Sequence, residues 1–161
     1  MGLKGAFGRV QLGRRLDVTN SLDWQFDPFY NFNRVASAAW DTWHYNYPSD
    51  PRADGGNAEY GRLNNGIYYD SPTINGFAWH VSGSPEGTTG DKRKALANGV
   101  TYNGEHFVAM GVHSRNSAGN LDNFLGAKVM YDNWAVMGAY NVSKAGSSTA
   151  KATTQIGRAH V

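Results

Sequence analysis

From Arg62 onward, large apolar side chains alternate with small or polar ones. Phe77-Ala78-Trp79-His80-Val81-Ser82 is the clearest stretch, and its period of two predicts a strand with two unlike faces. The same reading gives about eight antiparallel strands, near 1–5, 9–15, 61–70, 76–84, 97–103, 106–115, 122–132 and 134–143. Turn residues separate them. Asp70 to Gly76 forms one short connection, Asn103-Gly104-Glu105-His106 a second, Asp132-Asn133 a third, and Gly5 to Gly8 a fourth. Between these come polar, longer connections, Gly83 to Leu96 and Ser114 to Asn120. Short turn and long loop therefore take turns along the chain. The predicted fold is all-β, an up-and-down antiparallel meander.

The faces follow from the alternation. One is expected to carry Val10, Leu12, Ile67, Tyr69, Phe77, Trp79, Val81, Val108, Met110, Val112, Leu125, Val129 and Tyr131. The other is expected to carry Arg9, Gln11, Arg62, Asn64, His80, Ser82, His113 and Lys128. Alternation alone fits either a soluble sheet, with the apolar face as its core, or a membrane barrel, with the apolar face on lipid. Systematic short turns and long loops favour the barrel, as do the aromatics near strand ends (Tyr69, Trp79, Tyr102, Tyr131, Trp134, Tyr140). A soluble, aromatic-rich β-sandwich that binds carbohydrate is the alternative.

One segment breaks the rhythm. Between Arg15 and Gly61 the chain has no strand pattern, yet Trp24, Phe26, Phe29, Trp40 and Trp43 make it too aromatic for disorder. It carries seven acids against two bases, a net −5, which leaves +7 for the rest of a chain whose total is +2. An acidic, packed loop on a basic sheet is the expected arrangement.

Composition excludes several functions. With 20 Gly, 21 aromatics, 15 Asn and 17% charged residues in 161, strand formers and poor helix formers dominate together. The absence of Cys removes disulfides, thiolate metal sites and a Cys nucleophile. A net charge of +2, with no basic cluster larger than Lys92-Arg93-Lys94, argues against nucleic acid as a partner. His44, His80, His106 and His113 share no metal-ligand spacing. Asp23 and Asp27 could form a glycosidase-like carboxylate pair, but seven acids in one loop make some such pair inevitable. Neither an enzyme nor a cofactor is expected.

Three motifs carry a resemblance. Gly2-Leu3-Lys4-Gly5 with Phe7-Gly8-Arg9-Val10-Gln11-Leu12-Gly13-Arg14 resembles a strand pair of the general diffusion porins of Gram-negative bacteria, the β-proteobacterial type in particular. Arg62-Leu63-Asn64-Asn65-Gly66-Ile67-Tyr68-Tyr69-Asp70-Ser71-Pro72, completed by Gly76-Phe77, is similar to that family's next strand and turn. Leu125-Gly126-Ala127-Lys128-Val129-Met130-Tyr131 is similar to a later strand, and Asp27-Pro28-Phe29 to a step in its third loop. The likeness runs from Gly2 to about Val142.

The resemblance implies about half of a 16-stranded transmembrane barrel, homotrimeric when whole, in the outer membrane. It implies passive diffusion of small hydrophilic solutes and ions, with outer-membrane lipid and lipopolysaccharide around it. The segment 15–61 would be the inward-folded constriction loop, with Arg62, Arg14 and Arg15 facing Asp23 and Asp27 across the narrowest point. Arg9, Gln11, Asn64, His80, His113 and Lys128 would line the lumen. Ile156-Gly157-Arg158-Ala159-His160-Val161 reads as the translation of a sequencing adapter, so 1–155 is the expected barrel portion and 156–161 an artefact.

Overall fold

The computed structural model describes residues 1–27, 62–85, 93–145 and 147–159. Nine strands follow one another in a single antiparallel sheet whose spatial order is the sequence order. They are β1 (Gly2–Gly5), β2 (Gly8–Leu16), β3 (Arg62–Asp70), β4 (Phe77–Gly83), β5 (Leu96–Asn103), β6 (Phe107–Arg115), β7 (Leu121–Tyr131), β8 (Trp134–Ala145) and β9 (Ser148–Ala159). The described residues hold one sheet and not two packed layers, so the meander forms and the sandwich does not. Most of the expected inward loop, 28–61, lies outside the described residues, as does Lys92 of the basic run.

The first eight strands match their expected spans closely. β9 was not expected. It pairs with β8 from Ala145 beside Ser148 to Trp134 beside Ala159, so the backbone of 156–159 continues the ladder.

The four short turns expected from the sequence lie at one end of the sheet, and the short connection from β8 to β9 lies at the other. Asn75-Gly76 spans the bridge between Ile74 and Phe77, with φ of +49° and +85°. Both central residues of a type I′ hairpin turn need positive φ, and Asn-Gly supplies them at little steric cost. After β2 the chain does not leave the sheet. Asp17 accepts from the Asn20 amide at 2.8 Å and caps a short helix α1 (Val18–Leu22), which runs into a 3-10 turn at Asp23–Phe26. Helix α1 packs across β2, β4, β5 and β6, and the 3-10 turn packs across β7 and β8.

That packing divides the sheet into a covered face and an open face. On the covered face Val18 and Phe26 are buried against Ala97, Val108, Met110, Val112, Phe124 and Ala139. Here the structure corrects the expected faces. Val100 pairs with Gly111 and Thr101 with Met110, so Val108, Met110 and Val112 stand on the covered side with His80 and Ser82, opposite Trp79 and Leu125. The physical reason is α1: its apolar residues need an apolar seat, and β6 provides it. The open face keeps Leu3, Ile67, Phe77, Trp79, Val100, Leu125, Val129, Tyr131, Trp134 and Val136, each large, apolar and exposed. An exposed apolar surface of this extent on a soluble monomer would be an aggregation site, whereas on a lipid-facing sheet it is matched to its solvent.

Candidate functional site

The functional candidates gather where the chain doubles back onto the covered face. A register shift between Gly13 and Arg15, with Asn65 at φ +48°, inserts one residue into β3 and brings Leu63 onto the same face as Tyr68. Tyr68 then fixes Arg15. Its hydroxyl donates to the Arg15 carbonyl at 2.6 Å and accepts from the Arg15 amide at 3.0 Å. The guanidinium carbon lies 5.4 Å from the Tyr68 ring centroid, within cation–π range, and the guanidinium Nη1 donates to Gln11 Oε1. Tyr68 was not singled out from the sequence. A Tyr on the polar side of an otherwise apolar-and-small strand is the signal that could have found it.

Arg14, Arg15 and Arg62 line one cleft of about 490 Å³ together with Leu16, Asn20, Ser21 and Trp24. The three arginines expected near one another are thus brought together, on the side of α1 nearest the long loops. Asp23 and Asp27 are placed differently from a pair of carboxylates open to a passage. Both lie within or just after the 3-10 turn and are 2% exposed.

On the covered face toward the short turns, Arg9 donates through Nε and Nη2 to Asp70 Oδ2 at 2.9 and 2.7 Å. Asp70 Oδ1 lies 2.7 Å from His80 Nδ1, and His80 Nε2 lies 2.9 Å from Thr101 Oγ1. Arg9, Gln11, His80 and Lys128 all occupy the covered side by register. Asn64 falls within β3, and its side chain lies outside the described part. His113 is a correction. It pairs with Asn98 and Asn123 on the open face, is exposed, and meets Asn123 Oδ1 through Nδ1 at 2.9 Å. With β6 presenting Met110 and Val112 to α1, His113, the residue after Val112, has to point the other way.

The loop segment is anchored by polar contacts as well as by its apolar core. The Val18 amide donates to Ser82 Oγ at 3.1 Å, and Thr19 Oγ1 lies 2.8 Å from Ser114 Oγ. Deeper in the same seat, Asp122 accepts from Asn141 Nδ2 at 2.7 Å and from the Ser143 hydroxyl. Among the described residues no group of His, Cys, Asp and Glu could hold a metal ion.

On the open face the aromatics form a band at the short-turn end. Tyr69 and Trp79 meet edge to face with centroids 6.2 Å apart, Phe77 and Tyr102 at 4.8 Å, and Tyr102 and Phe107 at 6.0 Å. Such a girdle marks a membrane–water boundary.

Comparison with known proteins agrees with this geometry. A search of curated protein sequences found no match. Among solved structures, the anion-selective porin from Comamonas acidovorans superposes with a TM-score of 0.70 at 20% identity. The superposition covers 94% of this chain and 48% of that porin, so the chain spans about half the length of its structural relative. At that identity the likeness speaks for the fold. The sequence profile of the family described as Gram-negative porin matches residues 1–159, nearly the whole chain. The chain belongs to the Gram-negative porin family, whose members are β-strand channel proteins of the outer membrane.

Proposed function

We propose that this chain forms part of a water-filled barrel that lets small hydrophilic solutes and ions diffuse passively across the outer membrane. Residues 1–155 make up the barrel portion. The barrel assembles as a homotrimer, sits among outer-membrane lipid and lipopolysaccharide, and performs no covalent chemistry. The observation that carries this reading is the return of the chain after β2 onto one face of the sheet, where it meets Arg14, Arg15 and Arg62 in one cleft. A single sheet with an apolar open face and a covered face that is charged at one side is what a passage through lipid requires.

The cleft works by charge and size. Three guanidiniums lining one cleft set up a field that favours anions. Arg62, Arg14 and Arg15 belong to the narrowest part, and Tyr68 holds Arg15 on the covered face. Asp23 and Asp27, being enclosed, contribute negative potential from behind the loop surface rather than contact with solutes. The structural relative is called anion-selective, and the gathered arginines are the feature here that would favour anions.

The test is a reversal potential. In the whole barrel reconstituted in planar bilayers under a salt gradient, Arg62→Gln is expected to move selectivity toward cations. An unchanged potential would remove Arg62 from the constriction.

A further inference from the structure

A second cleft, of about 470 Å³, opens on the covered face nearer the short turns, beneath the 3-10 turn. Its polar floor is the chain of contacts from Arg9 through Asp70 and His80 to Thr101. These groups satisfy one another: Arg9 spends Nε and Nη2 on one carboxylate oxygen, and His80 spends both ring nitrogens. The charge of Asp70 is thereby cancelled within the floor. Lys4 lines the same cleft and has no ion pair among the described residues, so the cleft is left with a cationic excess. The wall on the other side is Trp24. Its indole N–H is already donated to the Ser21 carbonyl at 2.9 Å, which holds the ring, and the residue remains 41% exposed.

We propose that this cleft is a binding subsite for small carboxylates that carry a planar aromatic ring. The carboxylate pairs with Lys4 and the edge of Arg9, and the ring stacks on Trp24. An inorganic anion would leave the indole wall unused. A neutral sugar would find the polar floor already hydrogen-bonded to itself and would face an unneutralised lysine. The proposal deepens the diffusion reading by naming a class of solute. Trp24 borders both clefts, so an anion that has passed the arginines meets this site next.

Equilibrium dialysis of the 161-residue chain, refolded in detergent micelles, tests it with labelled benzoate and labelled acetate as probes. Benzoate is expected to bind about five- to tenfold more tightly than acetate. Trp24→Ala should abolish that preference, Trp24→Phe should retain most of it, and Lys4→Gln should weaken both ligands together. Equal binding of the two probes, or a preference that survives Trp24→Ala, would overturn the proposal. The readout needs no current. A whole barrel that conducts while this chain shows no benzoate preference sinks the subsite alone, whereas benzoate preference without conduction in the whole barrel sinks the diffusion reading.

Discussion

Gly126 gives its side-chain space to Phe26. A Cβ added at Gly126 would lie 2.5 Å from Phe26 Cδ2, and the ring itself sits 6.0 Å from that of Phe124. Phe26→Ala should cost about 3–5 kcal/mol of the loop's attachment to the sheet, and Gly126→Val should expel the ring by collision. Limited proteolysis between Val18 and Phe26 reads both: each variant should be cut there under conditions in which the parent is protected, while the strands stay intact. Single residues also show what sequence could and could not tell. The side of the sheet that Arg9 and His80 take was legible because β2 and β4 alternate cleanly between polar and apolar. His113 was misread because β6 is apolar on the side that faces α1, and the pattern alone does not say that an apolar residue is facing a helix rather than lipid. Tyr68 was passed over because its importance arises from a bulge, and bulges leave no periodic trace.

The open face supplies a height scale for whole strands. Along β7 the outward positions run from Tyr131 in the aromatic band, through Val129 and Leu125, to Asn123 beside His113. Eight residues at about 3.4 Å each, tilted by roughly 40°, span about 21 Å, close to the apolar band of such barrels. Ala127→Arg, at the middle of that band, should therefore destabilise the membrane-inserted sheet by about 2–4 kcal/mol. His113→Arg, at the edge, should cost only about 0–1 kcal/mol. Denaturant titration in lipid vesicles separates them, and equal costs would mean that the band is misplaced. Strands β1 to β8 could be read in advance because turn residues and alternation agree. β9 could not. Ser148 to Thr154 is small and polar with no large apolar residue to set a period, so the strand owes its existence to the edge of β8.

For the molecule as a whole, the sheet order from β1 to β9 leaves the first and last strands unpaired with each other. In lipid every backbone N–H and C=O without a partner costs several kcal/mol. The 161-residue chain alone should accordingly give no steady, ohmic conductance in planar bilayers, and without detergent it should aggregate through its apolar face. Steady channels from it would show that the edges close. The seat of Phe26 has one more consequence, for the order of events in folding. It is built from β5 to β8, and its partners Phe124 and Gly126 lie about a hundred residues downstream of the ring they receive. The loop cannot dock before those strands have zipped, because until then there is no surface to dock on. Contacts of such long range form late. Insertion and strand pairing should come first, and docking of Val18 to Phe26 should arrive as a separate, slower phase that a fluorophore beside Trp24 would time.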